Sequence, residues 1–227
     1  MRIGISGTTF IGKSTFMSDF LEIWSSYKAP TKKYSSVIKE KVDLKIGQTT
    51  EKIQEKILKY MLKEHKKYLR RDKVIFDGCL LDNLVYTLWA HDKGIINEKY
   101  VRKSIDRIRE SMKYLDIIFL VPMSKVSTVD AMVTEDEYVF MTELDHIYKG
   151  VFYQWANNKN CTLFPRDDKP ALIEIFGSQE ERIALARMYL NDDGDPIDAT
   201  PTLEQLGDID DMQKLIDDQR ELQKRKM

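Results

Sequence analysis

The chain reads as an α/β protein with a parallel sheet and helices on both faces. Three observations carry that. Short apolar runs of strand length alternate with longer stretches of helical periodicity along 227 residues. The first run leads directly into a glycine-rich turn and a helix. Hydrophobic residues make up 42% of the chain, enough for one sizeable core.

In chain order, residues 2–6 are the first strand. Residues 13–27 carry Phe16, Phe20, Ile23, Trp24 and Tyr27 at helical spacing. The pattern breaks at Pro30, and a short strand is expected around 27–34. Residues 49–70 are a long helix, capped by Thr49 or Thr50. Its Ile53, Ile57, Tyr60, Met61 and Tyr68 share one side, and Lys52, Lys56, Lys59, Lys63, Lys66 and Arg70 form a stripe on the other. The stripe is either a solvated face or a rail for a polyanion. KVIFD (73–77) is the next strand, followed by helices over 81–92 and 97–115. DIIFLV (116–121) is a strand ended by Pro122, and 135–155 is helical. Residues 161–164 and 172–176 read as short strands, with a last helix over 179–191. This makes about five strands in three layers. Right-handed crossovers place their C-termini along one edge, where such sheets bind ligands.

Residues 1–190 form the expected domain and 191–227 a tail. Positions 191–211 hold eight acidic residues and no basic one, which suggests an extended segment. Residues 208–226 carry an amphipathic pattern and can dock on the domain, on a second copy or on a partner.

The net charge of −1 demands neither nucleic acid nor a membrane surface. Two cysteines, Cys79 and Cys161, make no disulfide framework and suit a reducing cytoplasm. No apolar run reaches the ~18 residues of a membrane span, and no signal-peptide pattern is expected. His65, His91 and His146 lack metal-ligand spacing, so no zinc site is suggested. Trp89, Trp155 and Tyr86 fall at apolar helical positions and read as core, although an aromatic near Asp82 could stack on a base.

Chemistry concentrates in GTTFIGKST, residues 7–15. The stretch from Gly7 to Ser14 has the G-x-x-x-x-G-K-S pattern, placed between a strand and a helix. Gly7 and Gly12 allow close backbone approach. The amides of Thr8, Thr9, Phe10 and Ile11, with those of Lys13, Ser14 and Thr15 at the helix start, then face a polyphosphate. Lys13 supplies a point charge for the outer phosphates, and Ser14 offers a hydroxyl to Mg²⁺. Asp77, at the end of an apolar strand, is the second expected magnesium residue and lies where an acceptor would bind. Asp82 caps the following helix, holds an acceptor hydroxyl or faces solvent. Gly177 and Ser178 follow the last strand, where they can pass the adenine, and Ser178 with Glu181 also makes a capping box.

GTTFIGKST, VIFDGCLLDN, TEDEYVFMTELDHIY and EIFGSQEER, in that order over about residues 1–190, resemble the P-loop nucleoside and nucleotide kinases. The chain looks most like nicotinamide riboside kinase-like, thymidylate kinase-like and phage deoxynucleoside monophosphate kinase proteins. The resemblance implies the P-loop NTPase fold, ATP and Mg²⁺ as cofactors, a cytoplasmic setting, and phosphoryl transfer from ATP to a nucleoside or nucleoside monophosphate. It implies a lid after the fourth strand. Two departures stand out. Related kinases often carry Asp-Arg where this chain has Asp77-Gly78. Between Val121 and Tyr148 there is no arginine, one lysine and six acids. An arginine can contribute about 10³–10⁵ in rate, so the cation comes from elsewhere, or catalysis is slow, or the protein mainly binds nucleotide. Arg102, Arg107, Arg109, Arg166 and Arg182 are the donors available, and Arg109 and Arg166 are preferred as catalytic candidates. Two other readings stay open: a kinase of polynucleotide ends or modified DNA bases, and an ATP-binding regulatory module.

Overall fold

The computed structural model describes residues 1–31, 47–69, 73–123 and 133–197. Four strands form one parallel sheet: β1 (Arg2–Ser6), β2 (Val74–Asp77), β3 (Ile117–Leu120) and β4 (Ala171–Glu174). Their order is β2-β1-β3-β4, so the first strand is central. Among the described residues six helices surround it: α1 (Lys13–Ile23), α2 (Glu51–Lys67), α3 (Leu80–Asp92), α4 (Glu98–Met112), α5 (Glu135–Asn157) and α6 (Gln179–Arg187).

Alternation along the strands builds the three layers. Ile3, Ile5, Ile75, Ile117, Phe119 and Ile173 join Phe16, Phe20 and Leu185 on the α1–α6 side. Val74, Phe76, Ile118, Leu120 and Leu172 join the apolar faces of α2, α3, α4 and α5. Gly4 meets the second layer closely, since a Cβ there would stand 2.8 Å from the Cys79 Cβ. The parallel register sets Asp77 beside Ile5 and Ser6 beside Leu120. All strand C-termini therefore share one edge, and the turn after β1 sits at its middle.

Two expected strands differ. The one expected at 27–34 is represented by Lys28, which bridges Val74 on the outer side of β2 through Lys28 N–Lys73 O (2.9 Å) and Ile75 N–Lys28 O (3.0 Å). Residues 32–34 lie outside the described residues, as do Arg70, the segment 124–132 and the chain from 198 onward. Residues 161–164 form turns, not a strand. Phe164 is fully buried from that loop, so the apolar run reflects burial and not pairing.

Residues 191–197 lie on the domain. Trp24 Nε1 donates to Asn191 O (2.8 Å) and Tyr27 Oη to Gly194 O (2.6 Å). Lys73 Nζ reaches Asp195 (3.1 Å). Cys79 and Cys161 are both free thiols. Among the described residues, no helix is long and apolar enough to cross a membrane.

Candidate active site

The turn from β1 to α1 has the backbone its glycines require. Gly7 has φ +143° and Gly12 φ +83°. A Cβ at Gly7 would lie 2.5 Å from the Val121 carbonyl oxygen, and one at Gly12 2.8 Å from Gln179 Nε2. Phe10 adopts φ +58°, a left-handed conformation that costs a bulky L-residue roughly 1–2 kcal/mol. Helix α1 starts at Gly12 without a side-chain cap and without an acid in its first turn. Its positive end therefore faces the loop, with no acid of its own first turn to compete for the amides.

Lys13 folds back over this loop, and its Nζ donates to Gly7 O (2.8 Å) and to Thr8 O. Those carbonyl oxygens fill the acceptor role that phosphate oxygens would take. The hydroxyls of Thr8 and Thr9 are buried without a hydrogen-bond partner among the described residues. Buried polar atoms rarely stay unpaired, so the loop offers donors to a ligand. Ser14 Oγ donates to Asp77 Oδ2 at 2.8 Å. This contact joins two motifs 63 residues apart in sequence. A hydroxyl and a carboxylate side by side are a hard-oxygen donor set that fits Mg²⁺ completed by water. The described residues contain no cluster of three His, Cys, Asp or Glu that could hold a metal alone.

Asp82 departs from an acceptor-contacting role. Its side chain lies beneath the loop with 5% of the residue exposed. Ser6 Oγ (2.9 Å), Gly7 N (3.2 Å) and Tyr148 Oη (2.6 Å) all donate to Oδ1. Cys79 N donates to Oδ2 at 2.6 Å, closing a capping box at the start of α3. Both oxygens are thus committed to holding β1, α3 and α5 around the loop, and the capping alternative is the one the geometry carries. Burial raises the Asp82 carboxyl above its ordinary range, opposed first by the Lys13 charge and then by the donors around it. Neither Ser6 nor Tyr148 was picked out from the sequence as a site residue, because their role exists only through α5 bringing the Tyr148 hydroxyl to Gly7 and Asp82.

Arg109 and Arg166 are a correction. Helix α4 runs into the start of β3, so its last turn lies at the N-terminal edge of the sheet. There Arg109 bonds Thr162 O (2.9 Å) and Asp106 (2.6 Å), and it lines one cleft with Arg166, Lys113 and Lys159. Four-residue strands rising about 3.3 Å per residue separate that cleft from the loop. Arg102 pairs with Glu98, and Arg107 pairs with Glu55 across to α2. Arg182 is the arginine at the loop, 3% exposed, with one terminal nitrogen donating to Ile11 O at 2.7 Å. Its Nε is buried without a partner among the described residues. Burial lowers its pKa. Periodicity alone could not separate it from the other four.

Gly177 (φ +86°) and Ser178 form the cap of α6, with Ser178 N on Glu181 Oε2 (2.7 Å) and Glu181 N on Ser178 Oγ (3.3 Å). The next residue, Gln179, lines the open hollow beside Phe10, Gly12, Ser14 and Thr15. The α2 stripe faces outward, with Lys52, Lys59, Lys63 and Lys66 exposed and Lys59 paired to Glu55 at 3.3 Å. Two further polar features involve helix α2. Gln54 and Asn83 are buried and bonded to each other (2.8 Å), and Asn83 Oδ1 lacks a partner among the described residues. His65 on α2 is 1% exposed, packs on Phe76 with ring centres 4.5 Å apart, and has an Nδ1 without a partner among the described residues. Burial first, and the Arg2 charge second, lower its pKa to about 3, so the ring is neutral.

No protein-family model matches the chain, and no curated relative matches it. Solved structures do. The deoxyadenosine kinase of M. mycoides with bound dATP aligns at TM-score 0.55 and 18% identity over 82% of this chain and 96% of that one. The thymidylate kinase of Candida albicans aligns at 0.52 and 14% over 81% and 88%. The NadR protein in complex with NR aligns at 0.53 and 11% over 77% of this chain but 45% of its own length. The fold is that of the P-loop nucleotide kinases.

Proposed function

We propose that this protein transfers the γ-phosphoryl group of ATP to a hydroxyl or phosphate of a nucleoside or nucleoside monophosphate. The observation that carries the reading is the Ser14–Asp77 hydrogen bond of 2.8 Å at the C-terminal edge of the sheet, directly behind the glycine loop. The kinase-like fold agrees with it.

In this reading, the amides of residues 7–15 hold the polyphosphate, and Lys13 exchanges its carbonyl partners for phosphate oxygens. Ser14 and Asp77 would hold Mg²⁺, which when bound neutralises charge on the β- and γ-phosphoryl oxygens. Asp77 also borders the acceptor side, where its carboxylate can accept the hydrogen bond of the attacking hydroxyl. Arg182 acts through the loop: its bond to Ile11 O keeps the amides aimed inward. Gly177 and Ser178 pass beside the base.

The test is ADP release, coupled to an optical readout, over nucleosides, nucleoside monophosphates, nicotinamide riboside and 5′-hydroxyl DNA. Acceptor-dependent release is expected. Lys13→Ala should lower it by about 10²–10³, from loss of one charge-assisted contact to the transferring group. ADP release unaffected by Lys13→Ala, or none with any acceptor, contradicts the reading.

A further inference from the structure

Tyr148 reaches the glycine loop from α5 with one hydroxyl proton and two acceptors in range. Its Oη lies 2.6 Å from Asp82 Oδ1 and 3.2 Å from Gly7 O. The shorter contact has the length of a hydroxyl on a carboxylate, so the proton points to Asp82. Gly7 O is meanwhile held by Lys13 Nζ at 2.8 Å. Gly7, Asp82 and Tyr148 are all buried. A carbonyl in that position that loses its donor needs another, because water does not replace it at no cost.

On the phosphate-binding reading above, which this step requires, Lys13 exchanges the carbonyls of Gly7 and Thr8 for phosphate oxygens. Two things then change beneath the loop. Gly7 O loses its ammonium donor, within reach of a hydroxyl that can turn to it. Asp82 loses a nearby cation. The charged and titratable groups facing Asp82 are Lys13 from α1, Tyr148 from α5 and the Cys79 thiol at the start of its own helix. Burial raises the Asp82 carboxyl, and the Lys13 charge is the largest influence against that. Burial first, and the Asp82 charge second, push the Cys79 thiol well up, so it stays neutral. Moving the ammonium outward and bringing a polyphosphate to the loop both favour an uncharged carboxyl.

We propose that Tyr148 and Asp82 form a two-position relay beneath the loop. When Lys13 turns outward to the phosphates, Asp82 takes one proton from solvent, and the Tyr148 hydroxyl turns from Asp82 to Gly7 O. With Lys13 inward, Lys13 donates to Gly7 O and Tyr148 donates to the Asp82 carboxylate. With Lys13 outward, the Asp82 carboxyl donates to Tyr148 Oη and Tyr148 donates to Gly7 O. Ser6 Oγ, Gly7 N and Cys79 N keep their places, because a protonated carboxyl retains acceptor capacity. The balance is one O–H bond formed on Asp82 per nucleotide bound, with nothing oxidised or transferred. Tyr148 is thereby a positioning residue, which holds the Gly7 peptide, and the amides that follow it, in place while Lys13 moves.

The full chain is titrated calorimetrically with ATP and magnesium, without acceptor, in buffers of different ionisation enthalpy, which counts protons taken up over about pH 6.5 to 8.5. The nucleotide's own protons are common to every variant, so the difference between proteins is read. Wild type should exceed Tyr148→Phe by about half a proton or more at its maximum. In that variant Asp82 loses a donor to its charged form before binding and an acceptor for its proton afterwards, and both narrow the gap between the two states. The wild-type Kd should rise with pH by up to about tenfold per unit, the slope equalling the protons taken up, and the slope should flatten in Tyr148→Phe. A Tyr148→Phe protein that melts earlier but keeps the wild-type proton count and slope assigns the hydroxyl to structure alone and overturns the relay. Asp82→Asn cannot titrate and should also lack the excess; a folded Asp82→Asn that retains it overturns the assignment to Asp82, and if that variant does not fold, Tyr148→Phe decides. Nucleotide binding without any proton excess overturns the relay and leaves the reading of the loop standing. No nucleotide binding overturns both.

Discussion

Residues that define the loop divide into those facing the ligand and those holding the backbone. Asp82 holds it with four donors on one buried carboxylate. Asp82→Asn replaces an accepting oxygen with a donating NH₂, leaving either Cys79 N or the Ser6–Gly7–Tyr148 group opposed. Loss of about 2–4 kcal/mol in urea unfolding is expected, together with weaker ATP binding by calorimetry. His65 carries a pH dependence. Its pKa falls from 6.5 in the unfolded chain to about 3 in the folded one. Between those values the unfolded chain binds the extra proton, so this contribution is intact above pH 6.5 and is lost as pH falls. The slope is about 1.4 kcal/mol per pH unit. Comparing urea midpoints at pH 7.5 and 5, wild type should lose more stability than His65→Phe; equal losses refute it. The motif residues themselves were legible in sequence because each supplies chemistry from a fixed spacing. Asp82's partners were not, since Ser6 and Tyr148 lie 76 and 66 residues away.

Helix α6 is short, nine residues, yet it supports the loop from the side opposite Asp82. Its Ser178–Glu181 capping box fixes where it starts, and that places Gln179 and Arg182 on Gly12 and Ile11. Arg182→Ala should therefore do two things. It removes a buried charged donor from Ile11 O, costing about 1.5–3 kcal/mol of stability. It also loosens the amides of residues 10–12, raising the Kd for ATP about fivefold or more; unchanged ATP affinity in a folded variant would refute the bracing role. The capping box was readable before the fold, as a Ser and a Glu three positions apart. The arginine was not singled out from its sequence, because Arg109, Arg166 and Arg182 all occupy polar positions. What separates them is which sheet edge each element ends on.

At the scale of the molecule, the chain returns from β4 and α6 to close over its own beginning. Trp24 and Tyr27 after α1 and Lys73 before β2 all reach residues 191–195. Lys73 does so from a left-handed backbone (φ +62°). Tyr27 is 3% exposed, and burial with the nearby Asp195 and Asp116 charges pushes its phenol pKa well up. Tyr27→Phe should cost about 1 kcal/mol through the Gly194 carbonyl it leaves unpaired. Gly194→Val should cost more, because a Cβ there meets Tyr27 at 2.7 Å on a φ of +81°. Thermal melts of both variants check the order. The sequence by itself determined the layer architecture and the position of the loop. Period-2 and period-3.6 burial and glycine spacing are local rules, and they hold wherever the chain goes. Tertiary structure alone decided that Ser14 meets Asp77, that Asp82 faces inward, that Arg182 and not Arg109 reaches the loop, and that residues 161–164 pack without pairing. Each of those depends on the sheet order and on where the helices cross, which bring together residues with no periodic relation in the chain.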